Sequence, residues 1–134
     1  MRFFMFFFII AFSIACYTCT LGIFFAVCNN CDEELQIKYS VKNKYSIDSK
    51  SDLIIITLKP GEQMPLMISG QKVMNSGVEM RSDFLDINIF LSLFNSIEIL
   101  KKSDYSYSIN NIKQNNIDYV YPNISCVVYV LKIF

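Results

Sequence analysis

The sequence predicts an all-β protein: an antiparallel, immunoglobulin-like β-sandwich of 6–7 strands preceded by an N-terminal hydrophobic helix. Three observations lead there. Residues 3–28 contain no charged side chain at all. The rest of the chain is a series of short stretches, alternating polar with apolar or rich in β-branched residues, separated by clusters of Gly, Pro, Asn, Asp and Ser. That is the pattern of strands joined by turns. No stretch after residue 31 sustains a helical period.

The first element is the uncharged run. Its 26 residues, Phe3 to Cys28, would rise about 1.5 Å each as a helix, more than a hydrocarbon core of about 30 Å requires. Arg2 precedes the run and Asp32, Glu33 and Glu34 follow it, a charge order that keeps the N-terminus cytoplasmic and exports the remainder. Two fates are open: a retained anchor or a cleaved signal. The part from Phe3 to Ala15 has the length of a signal-peptide core, with Ser13 and Ala15 as the small pair before Cys16. The expected division is 1–31 as signal peptide or membrane anchor helix and 32–134 as the exported β domain, with the membrane bound through residues 3–28.

A short basic start, a Phe/Ile-rich run, a cysteine and an acidic, Asn-rich sequel resemble small bacterial envelope lipoproteins. The resemblance implies lipidation of a cysteine preceded by an aliphatic residue at −3 and a small residue at −1. Cys16 has Ala15 at −1 but Ser13 at −3, and Cys28 has Val27 at −1. Cys16 and Cys28 are the lipid-attachment candidates the resemblance leaves. It also covers most of the body, through the Pro60-Gly61-Glu62 turn and the strand Phe94-Asn95-Ser96-Ile97-Glu98-Ile99. The family implies no assigned activity.

Cys16-x-x-Cys19 and Cys28-x-x-Cys31 have the outline of a paired metal motif. Their eight-residue spacer, Thr-Leu-Gly-Ile-Phe-Phe-Ala-Val, is apolar and shorter than a zinc ribbon needs. Thiols in apolar surroundings stay protonated and bind metal poorly. They read as small apolar residues of the leader. Cys126 reads as a buried free thiol of the body.

The body elements follow in order. Leu35, Ile37, Tyr39 and Val41 alternate with Gln36, Lys38, Ser40 and Lys42, a half-buried strand over 34–42. Asn43 to Asp52 is polar and reads as a loop or a loose hairpin. Leu53 to Leu58 is a β-branched run suited to a second strand. Lys59-Pro60-Gly61-Glu62 predicts a tight turn, since Pro presets φ and Gly accepts a positive φ at the next position. Gln63 to Ile68 is a third strand, which Pro65 sends to a sheet edge. Gly70 to Asp83 reads as a surface loop. Over Phe84 to Leu93 the alternation favours a strand, while a helix capped by Ser82 or Asp83 stays open. Ser96 to Leu100 and Tyr105 to Ile109 form a hairpin around 101–104. Asn110 to Asn123 is polar and Asn-rich, and Ser125 to Ile133 closes the chain as a strong strand.

Composition narrows function by exclusion. The chain of 134 residues has 12 basic and 12 acidic side chains and no His. Arg2 is the only basic residue before Lys38 and the acidic residues begin at Asp32, so the body is near-neutral at −1. Such a balance is not that of a nucleic-acid binder. Without His there is no Ser-His-Asp or Cys-His catalysis and no histidine metal site. Catalytic motifs are absent, and no cofactor or metal is expected.

Two surface features remain. Tyr119 and Tyr121, read as lying in a loop, are the candidate ligand contacts, because tyrosine combines contact area with a polar tip. Glu79, Asp83, Asp86 and Glu98 are the carboxylates that an envelope hydrolase would need in a converging pair. The expected function is a non-catalytic binding or structural module, membrane- or lipid-anchored on the extracytoplasmic side, with an envelope protein or glycan as partner. The alternatives are a carboxylate-dependent envelope hydrolase and a small immunity or inhibitor protein.

Overall fold

In the computed structural model of the chain, residues 22–78, 84–101, 112–123 and 126–134 are described. Two sheets dominate. The four-stranded sheet has the order β4-β1-β7-β6, from β1 (Gly22–Asn29), β4 (Gln63–Pro65), β6 (Ile117–Asn123) and β7 (Cys126–Ile133). The three-stranded sheet has the order β3-β2-β5, from β2 (Leu35–Val41), β3 (Ile54–Leu58) and β5 (Phe94–Lys101). Two short helices, α1 (Gly70–Asn75) and α2 (Ile87–Ser92), pack beside them.

The end of the uncharged run, from Gly22 onward, is a central strand. β1 lies between β4 and β7 and pairs with β7 in parallel over its whole length, from Gly22 opposite Cys126 to Asn29 opposite Ile133. This corrects two expectations. The hydrophobic helix over 3–28 is overturned from Gly22 onward, and its earlier part lies outside the described residues. The sheets are also not purely antiparallel. Strands buried on both faces read as unbroken apolar runs, which periodicity alone does not separate from a buried helix. Gly22 to Cys28 and Cys126 to Leu131 are such runs. The division after residue 31 therefore separates β1 from the strands it pairs with.

One core joins the sheets. Phe25, Val27, Tyr129, Leu131 and Ile133 from the four-stranded sheet meet Leu35, Ile37, Tyr39, Leu58 and Ile99 from the other. Five rings form a continuous row through it. Tyr129 contacts Phe25 at 5.8 Å, Phe25 contacts Phe90 of α2 at 6.3 Å, Phe90 contacts Phe94 at 5.2 Å, and Phe94 meets Tyr39 edge-on at 5.9 Å. These separations fall in the range where aromatic pairs add to simple burial.

The predicted strand at 34–42 is β2, with Leu35, Ile37, Tyr39 and Val41 all buried. The predicted turn joins β3 to β4 and so carries the chain from one sheet to the other. Gly61 has φ of +81°, and the Glu62 amide donates to the Lys59 carbonyl at 3.0 Å, as a type II turn requires. β4 is an edge strand, where Pro65 costs no ladder hydrogen bond.

Three local expectations are corrected. The loop expected from Gly70 holds α1, whose cap is Ser69: its hydroxyl accepts from the Lys72 amide at 3.3 Å. The strand favoured over 84–93 is instead α2 over 87–92, and its cap is Asp86, which accepts from the Asn88 amide at 2.8 Å. There Phe90 and Leu93 are buried at helical spacing while Asn88 is exposed. The stretch expected as an Asn-rich loop ends in β6, because Ile117, Tyr119 and Tyr121 alternate with Asp118 and Val120. The second arm of the hairpin expected at 105–109 lies outside the described residues.

Candidate functional site

The residues of β6 build the most distinctive surface. Among the described strands β6 ends the four-stranded sheet and pairs antiparallel with β7, Tyr119 standing opposite Tyr129. Tyr129 is buried at 1% exposure, yet Tyr119 on the same face is 43% exposed and Tyr121 45%. The apolar face thus continues from the core out to solvent along this edge. The two rings contact each other edge-on, with centroids 5.5 Å apart and planes at 77°. Val120 between them is also exposed, on the opposite face. Expected in a loop, the tyrosines stand on a strand, so the scaffold fixes their spacing.

An ion pair braces this strand. Lys132 donates to Asp118 Oδ2 at 2.7 Å, and the Tyr119 amide donates to Asp118 Oδ1 at 2.8 Å. The Lys132 hydrogen bond is the main reason the Asp118 carboxyl is held below its usual range. β6 is therefore tied to β7 by side chains on one face while it presents its tyrosines on the other.

The other candidates do not gather into a site. Glu79 and Asp83 lie outside the described residues. Asp86 uses one carboxylate oxygen to cap α2. Glu98 is exposed on β5, in register with Lys38 of β2 and pointing away from the core that Ile97 and Ile99 enter. Among the described residues no three His, Cys, Asp or Glu side chains come together to hold a metal ion. No helix there is long and apolar enough to cross a membrane.

The cysteines divide into two kinds. Cys16 lies outside the described residues. Cys28 and Cys31 are free thiols. Cys28 packs with Ala26, Val128 and Val130 on the outer face of the four-stranded sheet, while Cys31 packs against the main core. Burial raises both thiols above their ordinary value, against the opposing effects of Lys132 on Cys28 and Lys101 on Cys31. Cys126 is different. It is fully buried, as expected, but it is disulfide-bonded, which corrects the expectation of a free thiol.

No family model, curated protein or solved structure matches the chain.

The residue that the sequence signalled least is Asn29. It has no exposure, and its side chain makes three hydrogen bonds: the amide donates to the carbonyls of Glu33 and Leu58, and Oδ1 accepts from the Cys31 amide. An Asn just past an apolar run looks like the first residue of a loop. Only its strand neighbours show it to be a buried clamp.

Proposed function

We propose that the chain is an exported envelope protein, anchored by membrane or lipid, whose body is an immunoglobulin-like sandwich acting as a non-catalytic binding or structural module. The observation that carries this reading is the Tyr119–Tyr121 pair, two half-exposed rings in mutual contact on a strand of the four-stranded sheet. Exposed aromatics on a rigid strand cost little ordering entropy on binding and offer a large contact area with polar tips. An envelope protein or a glycan is the partner such a surface suits.

Export is supported separately. A disulfide at Cys126 belongs to an oxidising compartment, and residues 3–21 remain an uncharged run behind Arg2 even after β1 is subtracted. At about 1.5 Å per residue that run still approaches the thickness of a bilayer core.

Protease shaving of intact cells tests the topology, and full protection of the body inside the cytoplasm would sink it. Pull-down of envelope extract on immobilised protein tests the surface. A bound protein or glycan lost on Tyr119→Ala/Tyr121→Ala is the expected result. Equal capture by wild type and the double variant would remove the tyrosines as the contact surface.

A further inference from the structure

Among the described strands each sheet has two ends: β4 and β6 in one, β3 and β5 in the other. The backbone of an end strand can accept another strand, and proteins guard such edges with charge, proline, bulges or shortness. Three of these four carry guards. β4 is three residues long and holds Pro65. β6 holds Asp118 and Pro122, and its register with β7 shifts between Val120 and Asn123. β5 holds Glu98 and Lys101, and its register with β2 shifts between Ser40 and Val41. β3 has no such guard. Its sequence Ile54-Ile55-Ile56-Thr57-Leu58 lacks charge, proline and glycine, and it pairs with β2 in unbroken register.

Burial marks the same end as the more open one. Ile54 and Ile56 pack against the core yet stay partly exposed, whereas Ile97 and Ile99, at the other end of that sheet, are 6% and 1% exposed. On the outer face Ile55 is 53% exposed, and Leu53 just before the strand is 59% exposed. Ile55 stands in register with Lys38, and Lys38 with Glu98. The apolar exposure of this face is therefore concentrated on its edge strand, beside charged neighbours.

The two ends of β3 select the occupant. Asp52 lies before the strand and Lys59 after it, both exposed. A second copy running antiparallel brings its Lys59 beside Asp52 and its Asp52 beside Lys59, so both corners attract, and the uncharged middle adds no repulsion. A two-fold axis at Ile55 sets that residue opposite its own counterpart and Leu53 opposite Thr57 of the second copy. Such a contact is self-complementary and closed, and apolar β-branched residues directly opposite each other stabilise a strand pair.

We propose that β3 is a self-association edge: two copies of the chain pair antiparallel through Ile54–Leu58, joining their three-stranded sheets into one continuous sheet with Ile55 facing Ile55 across the axis. A five-residue edge buries less than the about 1,200–2,000 Å² of a standard stable interface, so the dimer forms and dissociates with concentration. The contact lies on the sheet that does not carry Tyr119 and Tyr121, and it holds or fails independently of the function proposed above.

The test is sedimentation velocity of the full-length chain in detergent across a dilution series, with far-UV circular dichroism to show that each variant is folded. The wild-type chain should pass from monomer to dimer as its concentration rises. Ile55→Lys, at an exposed position, sets two ammonium groups against each other and should weaken association about tenfold or more. Asp52→Lys should weaken it at low salt, and adding Lys59→Asp should restore it. Under mild oxidant Ile55→Cys should give a dimer linked at position 55, because directly opposed Cα atoms lie within disulfide range. Thr57→Cys, roughly 14 Å from its counterpart in this register, should not link to itself. A monomer at every concentration, an association that Ile55→Lys leaves unchanged, no linkage at position 55, or a peptide of another protein held along β3 would each overturn the proposal.

Discussion

The Asn29 side chain at the end of β1 donates to the Leu58 carbonyl at the end of β3, 3.0 Å away, so a single buried amide fastens one sheet to the other. The backbone of the same residue extends the pairing of β1 with β4 into the preceding turn: the Asn29 amide donates to the Glu62 carbonyl at 2.9 Å, and the Gly61 amide donates to the Asn29 carbonyl at 2.8 Å. Asn29→Ala leaves the Cys31 amide and the Glu33 and Leu58 carbonyls short of a partner. Each buried polar group left unmade costs about 1–3 kcal/mol, and part of this site can reach water, so the expected loss is about 3 kcal/mol. Asn29→Asp should be worse, because an acceptor-only carboxylate would face two carbonyls. Urea denaturation of both variants checks the order, and a loss below about 1 kcal/mol in either would remove the clamp.

The sequence made alternation visible and left two-sided burial hidden. β2 was legible because Leu35, Ile37, Tyr39 and Val41 face the core while Gln36 and Lys38 stay partly in water. The Pro60-Gly61 turn was legible because two residue types with fixed backbone preferences stand side by side. β1 was not: with both faces covered, nothing polar interrupts Gly22 to Cys28, and the run reads as lipid-facing. The helix at 87–92 is only six residues long, too short for its period to outweigh the accidental alternation of Leu85, Ile87, Ile89 and Leu91. The site divides in the same way. Tyr119 and Tyr121 stood out as residues, but Pro122 and the Asn-rich approach concealed their strand.

Gly70 is required by contact, with no demand from its φ. It opens α1 against β1, and a Cβ built there would run into the carbonyl group and side chain of Ile23. The obstacle is backbone of a central strand, which cannot swing aside as a flexible side chain would. Gly70→Ala should therefore destabilise by about 1–3 kcal/mol, the usual cost of overpacking, although alanine is the better helix former. A midpoint in thermal or urea unfolding equal to or above wild type would show that β1 yields.

The Asp118–Lys132 pair should contribute little, and with a definite sign. Its side chains are 48% and 33% exposed, so about 0.2–1 kcal/mol is expected after solvent screening. The Asp118 carboxyl is depressed in the folded state by Lys132 and then by the Tyr119 amide. Its contribution is therefore present above the ordinary carboxylate value and lost as pH falls through the lower folded value. Asp118→Asn should be slightly less stable than wild type at pH 7, and the gap should close under acid conditions and narrow in high salt. A gap that widens as pH falls would contradict the pairing.

The Cys28-x-x-Cys31 spacing suggests a redox pair, and the fold argues against one. Cys28 is directed to the outer face of the four-stranded sheet, where its Sγ lies 3.2 Å from Asn30 Oδ1, and Cys31 packs toward the main core with its Sγ 3.5 Å from the Ile133 carbonyl oxygen. The two thiols pack against different clusters on either side of the end of β1, so closing a bond between them would require that end to rearrange. Burial also raises both thiols, which lowers the thiolate fraction on which attack depends. Mild oxidant should leave the Cys28 and Cys31 thiols unjoined to each other, and their alkylation at pH 7 should be slower than that of an unstructured cysteine peptide, rising with pH beyond the point where the peptide levels off. Rapid closure to a Cys28–Cys31 disulfide, seen as a cross-linked peptide after digestion, would show that the end of β1 opens far more readily than the Asn29 clamp allows.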